Sequence, residues 1–280
     1  MNRDFVKLVE QGYDRIAHDY LAWPEQDLSL FRAELQDLSS RLPADAAVLD
    51  VGCGAGVPFT AWLSERFRVT GMDVSAEQIA LARARVPRAT FFQQDMLALD
   101  VPPCSFDAVT CFYALIHVPR DQHALALVNM NRALKPGGCL LLITGNGDLD
   151  DDVDEFFGAE MYWSHFNREV SLQMIRDAGF EIIWDKVVAY RPSGSHVLAL
   201  AQKKRVLFSA REQDSTNGNL ALRYDGRSLR FAALRVGPNG DHQPPQNRKR
   251  SSGSRGRLDG FVKMPHFAKC ALAAIASTRV

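Results

Sequence analysis

Several features are missing from this chain, and each absence narrows its reading. No paired CxxC occurs: the five cysteines stand singly at positions 53, 104, 111, 139 and 270. A scattered, odd-numbered set supplies neither a disulfide framework nor a zinc site, and it points to a reducing, cytoplasmic compartment. No long hydrophobic run occurs either, since the longest near-apolar stretch, 108–118, falls well short of the roughly 20 residues a membrane span requires. The first residues, Met1-Asn2-Arg3-Asp4-Phe5, lack the basic, apolar, then small order of a secretion signal.

Net charge is also missing, with 33 Lys+Arg against 33 Asp+Glu, but the balance is uneven along the chain. Residues 1–203 are acidic and 204–280 are basic, and all four tryptophans (23, 62, 163, 184) precede 204. Residues 236–260 are rich in Gly, Pro, Arg and Ser and carry almost no aliphatics. Such a segment cannot bury enough apolar surface to offset its ordering entropy, so 204–280 is expected to be a basic, largely disordered tail. Its basic residues lack the interleaved aromatics of a single-strand binder, so nucleic acid is not the expected partner. The remainder, at 46% hydrophobic composition over the whole chain, suffices for a sizeable core.

Apolar positions at 5, 8, 9, 12, 13, 16 and 20 predict a helix over 2–21, and a second is expected over 25–40 before Pro43. Together 1–44 read as an N-terminal helical cap. Short apolar runs at 47–51, 67–72, 90–93, 108–112, 139–144, 180–188 and 197–201 read as strands. Helical stretches near 57–66, 75–85, 120–134 and 168–178 fall between them. The alternation predicts a doubly wound α/β core over 45–203, closed by an antiparallel hairpin with its turn at 192–194. In such a sheet ligands lie outside the carboxyl ends of the strands.

The first of those ends is Asp50-Val51-Gly52-Cys53-Gly54-Ala55-Gly56. Its glycines let a ligand approach the backbone closely. Val57 replaces the third glycine of a dinucleotide fingerprint, and Asp50 would repel a diphosphate but attract an ammonium. Both observations count against a nicotinamide-dependent oxidoreductase. The second end stops at Met72-Asp73, about 20 residues on, where an acid accepts from ribose hydroxyls. The third carries Asp95-Met96, suited to an exocyclic amine and an apolar base face.

VLDVGCGAG (48–56), VTGMDVS (69–75), QQDM (93–96), FDAVTCFYALIHVPR (106–120) and LKPGG (134–138) resemble, in order, the motifs of class I S-adenosylmethionine-dependent methyltransferases, particularly the small bacterial "methyltransferase domain" group. The resemblance covers about residues 10–203. It implies a Rossmann-like seven-stranded sheet in the order 3-2-1-4-5-7-6 with the last strand antiparallel. It also implies S-adenosylmethionine as cofactor, held by Gly52, Cys53, Gly54 and Gly56 around the methionine part and by Asp50 near its amino group. Asp73 would take the ribose, Met72 or Val74 with Asp95 and Met96 the adenine, and Cys111 and Phe112 the sulfonium end.

A hydroxyl or protonated-amine acceptor must lose a proton. His117, on the exit loop of the fourth strand, is the candidate base, its other role being to shape the loop before Pro119. His123 is expected to be solvated at the start of the next helix, and no metal site is expected. Tyr13 and Tyr20 share one face of the first helix, and Tyr20 is favoured for closing over the site. The acidic run 148–155 reads as a solvated loop. The aromatics at 156, 157, 162, 163 and 166 could wall an acceptor pocket, with His165 as a second possible base. A methyltransferase acting on a small molecule is therefore expected, the alternative being a non-catalytic cofactor-binding or protein-interaction module of the same fold.

Overall fold

In a computed structural model of the chain, residues 4–22, 28–189, 194–205, 220–224 and 229–233 are described. The stretch 236–260 and Cys270 lie outside the described residues. The chain divides into two units, one comprising 1–206 with 264–280, the other 207–263.

In the first unit, α1 (Phe5–Leu21) starts where the Asp4 carboxylate accepts from the Lys7 N–H at 3.1 Å. Where one helix was expected over 25–40, a 3-10 turn at Leu28–Phe31 leads into α2 (Arg32–Ser40). The sheet strands and their crossovers follow: β1 (Ala47–Val51), α3 (Phe59–Ser64), β2 (Arg68–Asp73), α4 (Ala76–Arg85), β3 (Thr90–Gln93), β4 (Phe106–Cys111), α5 (His123–Ala133) and β5 (Leu134–Gly145). A hairpin of β6 (Leu149–Phe156) and β7 (Ala159–His165) is inserted before α6 (Arg168–Asp177), β8 (Phe180–Ala189) and β9 (Ser195–Lys203). The main sheet runs β3-β2-β1-β4-β5-β9-β8, and β9 is antiparallel to both neighbours. Counting only sheet strands, that is the expected order 3-2-1-4-5-7-6.

Alternate residues of the central strands feed two cores because helices cover both faces. Leu49, Val109, Cys111, Leu140 and Leu142 meet α5 and α6 through Leu127, Met130, Leu172 and Ile175. Val48, Val69, Ala108, Leu141 and Ile143 meet the other layer through Leu35, Leu38, Trp62 and Leu63. These two layers fix the carboxyl ends of β1, β2, β3 and β4 side by side.

The β6–β7 hairpin corrects the expectation of a solvated loop at 148–155. Phe156 pairs with Ala159, leaving the two-residue turn Phe157-Gly158, with φ of 52° and 80°. Positive φ at both positions is the tight hairpin geometry for which Asn-Gly is the usual signal. Phe-Gly hid it, and so did the charge of β6, whose aspartates face solvent. The hairpin shares its core with α1: Val9, Ile16, Met161 and Tyr162 form a third core, and Phe5 stacks on Tyr162 at 4.1 Å.

In the second unit, β10 (Leu220–Tyr224) and β11 (Leu229–Ala233) form an antiparallel ribbon. This ribbon falls inside the stretch expected to be largely disordered.

Candidate active site

The glycine loop is pinned onto the end of β2. The Gly52 and Cys53 N–H groups both donate to the Met72 carbonyl, at 2.8 and 2.9 Å. The Gly54 N–H donates to the Asp73 carboxylate at 2.9 Å. Glycine is required here: Gly52 has a φ of 71°, and a Cβ on it would stand 2.1 Å from the Ala114 methyl. The close approach joins the β1 and β4 exits. Tyr113, with a φ of 56°, makes the turn that brings Ala114 there.

Asp73 also accepts from the Ser75 N–H at 3.0 Å. Burial pushes its carboxyl up to about 6, against the pull of those backbone donors. A carboxylate has about four acceptor sites, so Asp73 keeps capacity for a further donor such as a ribose hydroxyl. Ser75 caps α4 by accepting from the Gln78 N–H at 3.1 Å, and its hydroxyl donates to Asp14 of α1 at 2.6 Å.

That arrangement exposes a residue which sequence reasoning missed. In a capping box the glutamine three residues after the cap reaches back to the cap's own N–H. Here Asp73 has taken the Ser75 N–H, so the Gln78 amide, 1% exposed, is left with no hydrogen-bond partner. Its oxygen lies beside Gly54, 3.7 Å from where a Cβ would stand. A buried polar orphan against a glycine cradle is what a polar ligand would satisfy. The Ser-x-x-Gln spacing was the available signal.

One cleft gathers six of the fourteen expected residues. Gly52, Met72, Asp73, Asp95, Met96 and His117 line it with Ala114, Val118, Val74 and Gln94, and Val6, Val9 and Tyr13 of α1 close its other side. Asp95 starts a short 3-10 turn by accepting from the Leu97 N–H at 2.9 Å. Asn129 of α5 holds that turn through the Met96 and Leu97 carbonyls.

Other expected residues stand elsewhere. Asp50 is 2% exposed and accepts from the Thr60 and Thr110 hydroxyls at 2.5 and 2.7 Å; burial raises its carboxyl despite them. It ties β1 to α3 and β4 behind the loop, and both its oxygens are engaged. The Cys53 side chain turns back onto Gly71 and Phe91. Gly56 packs on Ala82 and Val86 of α4. Cys111 sits in one core and Phe112 in the other, stacked on Phe59 at 3.9 Å, so neither side chain lines the cleft. Burial lifts the Cys111 thiol to about 12. Cys53, Cys111 and Cys139 are free thiols, but Cys104 is disulfide-bonded, where no disulfide was expected.

His117 is buried at the cleft wall between two fixed partners. Its Nδ1 lies 2.7 Å from the Tyr162 carbonyl, which can only accept, so Nδ1 carries the proton. Nε2 is then the acceptor, and the Tyr13 hydroxyl donates to it at 2.9 Å. Burial drives the imidazole down to about 4. Tyr13, not Tyr20, is thus the helix residue that meets the candidate base. Tyr20 stands behind it, edge-on at 5.4 Å, and against Phe156 at 5.8 Å. His165 does not line the cleft; its Nδ1 meets the Gly147 carbonyl at 2.7 Å. His123 is buried rather than solvated: the 3-10 turn at Arg120–Gln122 rolls it inward, with Nε2 2.9 Å from the Val118 carbonyl. Among the described residues no cluster could hold a metal ion, and no helix is long and apolar enough to cross a membrane.

Residues 48–138 match the family model described as "Methyltransferase domain". Methyltransferase GfsG of Streptomyces halstedii is 39% identical over 129 residues, covering 41% of this chain and 45% of that protein. The ubiquinone biosynthesis O-methyltransferase of Burkholderia pseudomallei (strain 1710b) is 27% identical over 185 residues, covering 60% and 78%. The chain therefore spans less than half of GfsG and about three quarters of the ubiquinone enzyme. Among solved structures, the 1,6-didemethyltoxoflavin-N1-methyltransferase of Burkholderia thailandensis superposes with a TM-score of 0.58 at 22% identity, covering 72% of this chain and 89% of that one. With the sheet order, the glycine cradle and the acid at the end of β2 all in place, residues 48–138 of this chain form a methyltransferase domain.

Proposed function

We propose that the chain methylates a small-molecule acceptor in the cleft beneath α1, with His117 as the base. One observation carries the reading: Met72, Asp73, Asp95 and Met96 face the same cleft as a buried histidine whose lone pair is already hydrogen-bonded. S-adenosylmethionine supplies a methyl group activated by its sulfonium, so the demanding chemistry comes with the cofactor.

The chain's residues then bind, orient and move one proton. Asp73 would accept from the ribose hydroxyls while keeping its bonds from Gly54 and Ser75. Asp95 would accept from the adenine amine, with Met72 and Met96 against the ring, and the Gly52–Gly56 backbone with Gln78 would flank the methionine part. His117 would hold, at Nε2, the positive charge left when the acceptor gives up its proton. Helix α1 keeps water from the reacting atoms through Val6, Val9 and Tyr13. An acceptor of small size is supported by this close cover and by the relatives' names. In domain terms, 1–44 would serve as cap and 45–203 as catalytic core.

The non-catalytic alternative has less support, because Tyr13 and His117 form an ordered proton-accepting pair at the cleft. Calorimetric titration with S-adenosylmethionine tests the reading. Micromolar binding that Asp73→Ala weakens about tenfold or more is expected, on the scale of a lost charged hydrogen bond. Absence of binding by the folded wild-type chain would refute it.

A further inference from the structure

His117 cannot meet an acceptor directly in the geometry described, because its acceptor nitrogen is filled by the Tyr13 hydroxyl and its other nitrogen is fixed on a carbonyl. Tyr13 itself lines the cleft. A phenol hydroxyl donates one hydrogen bond while accepting another. Resting on the methyltransferase reading, we propose that Tyr13 is a catalytic residue that relays the proton of a hydroxyl acceptor to His117.

The step balances as follows. The acceptor O–H bond breaks as its oxygen bonds to the methyl carbon, and the electron pair of the sulfur–methyl bond stays on sulfur. The acceptor's proton goes to Tyr13 Oη while the Tyr13 proton goes to His117 Nε2. The imidazole, neutral at the start, ends as imidazolium, and the positive charge lost from sulfur reappears on it. Total charge in the cleft is unchanged. A protonated amine would instead place a second positive charge beside the sulfonium in a buried site, which burial disfavours. The relay therefore selects a neutral hydroxyl, and the apolar side chains of Val6, Val9 and Val118 in the cleft wall favour one carried on an apolar ring, as in a phenol. The other titratable groups around the pair are Asp73 and Asp95 in the same cleft, Tyr20 edge-on against Tyr13, the Tyr162 phenol, and His165 and His196 beyond; none of their side chains takes part in either hydrogen bond of the relay.

The test uses the full-length chain with S-adenosylhomocysteine bound and two probes, 4-nitrophenol and its methyl ether. The relay predicts that the wild type binds the phenol at least fivefold more tightly than the ether, and that Tyr13→Phe, which keeps the ring, abolishes the preference. It also predicts that methyl transfer from S-adenosylmethionine to 4-nitrophenol falls about 100-fold or more in Tyr13→Phe, the lower end for a lost general base. Cofactor affinity should stay within threefold. A Tyr13→Phe variant that keeps the phenol preference, or transfers within threefold of wild type, overturns the relay and leaves the methyltransferase reading standing. Binding of neither probe to the cofactor complex overturns the aromatic-hydroxyl acceptor. Failure of the wild type to bind S-adenosylhomocysteine overturns both readings together.

Discussion

At the scale of single residues, burial decides what each acid and base can do. Asp73 is held near 6 by desolvation, and only its ionised form accepts from two hydroxyls. Affinity for S-adenosylmethionine should therefore fall as pH drops below about 6, approaching tenfold per pH unit. Asp73→Asn should bind more weakly at pH 7.5 and lose this dependence; calorimetry between pH 5 and 8 checks both. Gln78 carries a different signature. Its orphaned amide costs the folded chain about 1–3 kcal/mol, the price of a buried group without a partner. Gln78→Met should thus raise the denaturation midpoint of the ligand-free protein and yet weaken cofactor binding. Loss of stability together with unchanged affinity would show the amide to be satisfied in some other way.

At the scale of elements, much of the fold was legible because its signals are local. The strand at 90–93 was read at its true bounds, and β1 likewise, since short apolar runs ending at Gly and Asp need no tertiary information. Asp73, Asp95 and His117 could be picked out because Asp73 ends β2, Asp95 stands two residues past β3 and His117 lies in the loop that leaves β4. The hairpin was not legible, because β7 packs against α1, far earlier in the chain, and Phe-Gly stands where Asn-Gly is usual. The pairing of Tyr13 with His117 spans 104 residues, and only tertiary structure reveals it. Cys111 and Phe112 were misplaced because a strand's last residues point alternately into the two cores, not out of its end. Helix α1 crosses the hairpin at Gly12, where a Cβ would stand 2.9 Å from the Glu160 carbonyl and the Met161 methyl. Alanine should stabilise an isolated helix by about 1 kcal/mol over glycine. Gly12→Ala should nonetheless destabilise the protein and hasten proteolysis of α1, because the contact with β7 must open.

At the scale of the whole molecule, buried histidines should make the chain sensitive to acid. His117, His123 and His196 are each depressed from 6.5 to about 4 by burial. As pH falls below 6.5 the unfolded chain binds protons that the folded chain refuses, so stability falls with pH. Asp73 and Asp50, raised by burial, act oppositely, since the folded chain protonates them first. Three groups against two, with Asp73 counteracting only below about 6, leave a net loss. Urea denaturation should register less stability at pH 5 than at pH 7, and replacing His123 with a neutral side chain should reduce that difference. A flat profile would mean that these histidines titrate normally.

The hairpin of β6 and β7 enters and leaves the chain between β5 and α6 and shares its core with α1. It is thus a cassette, attached at two neighbouring points to a scaffold that already shapes the glycine loop and the acids facing the cofactor. Acceptor choice and cofactor affinity can then diverge independently: exchanging 148–166 together with the α1 face for those of a relative should transplant the preference for acceptor while leaving the nucleoside half of the cleft as it was.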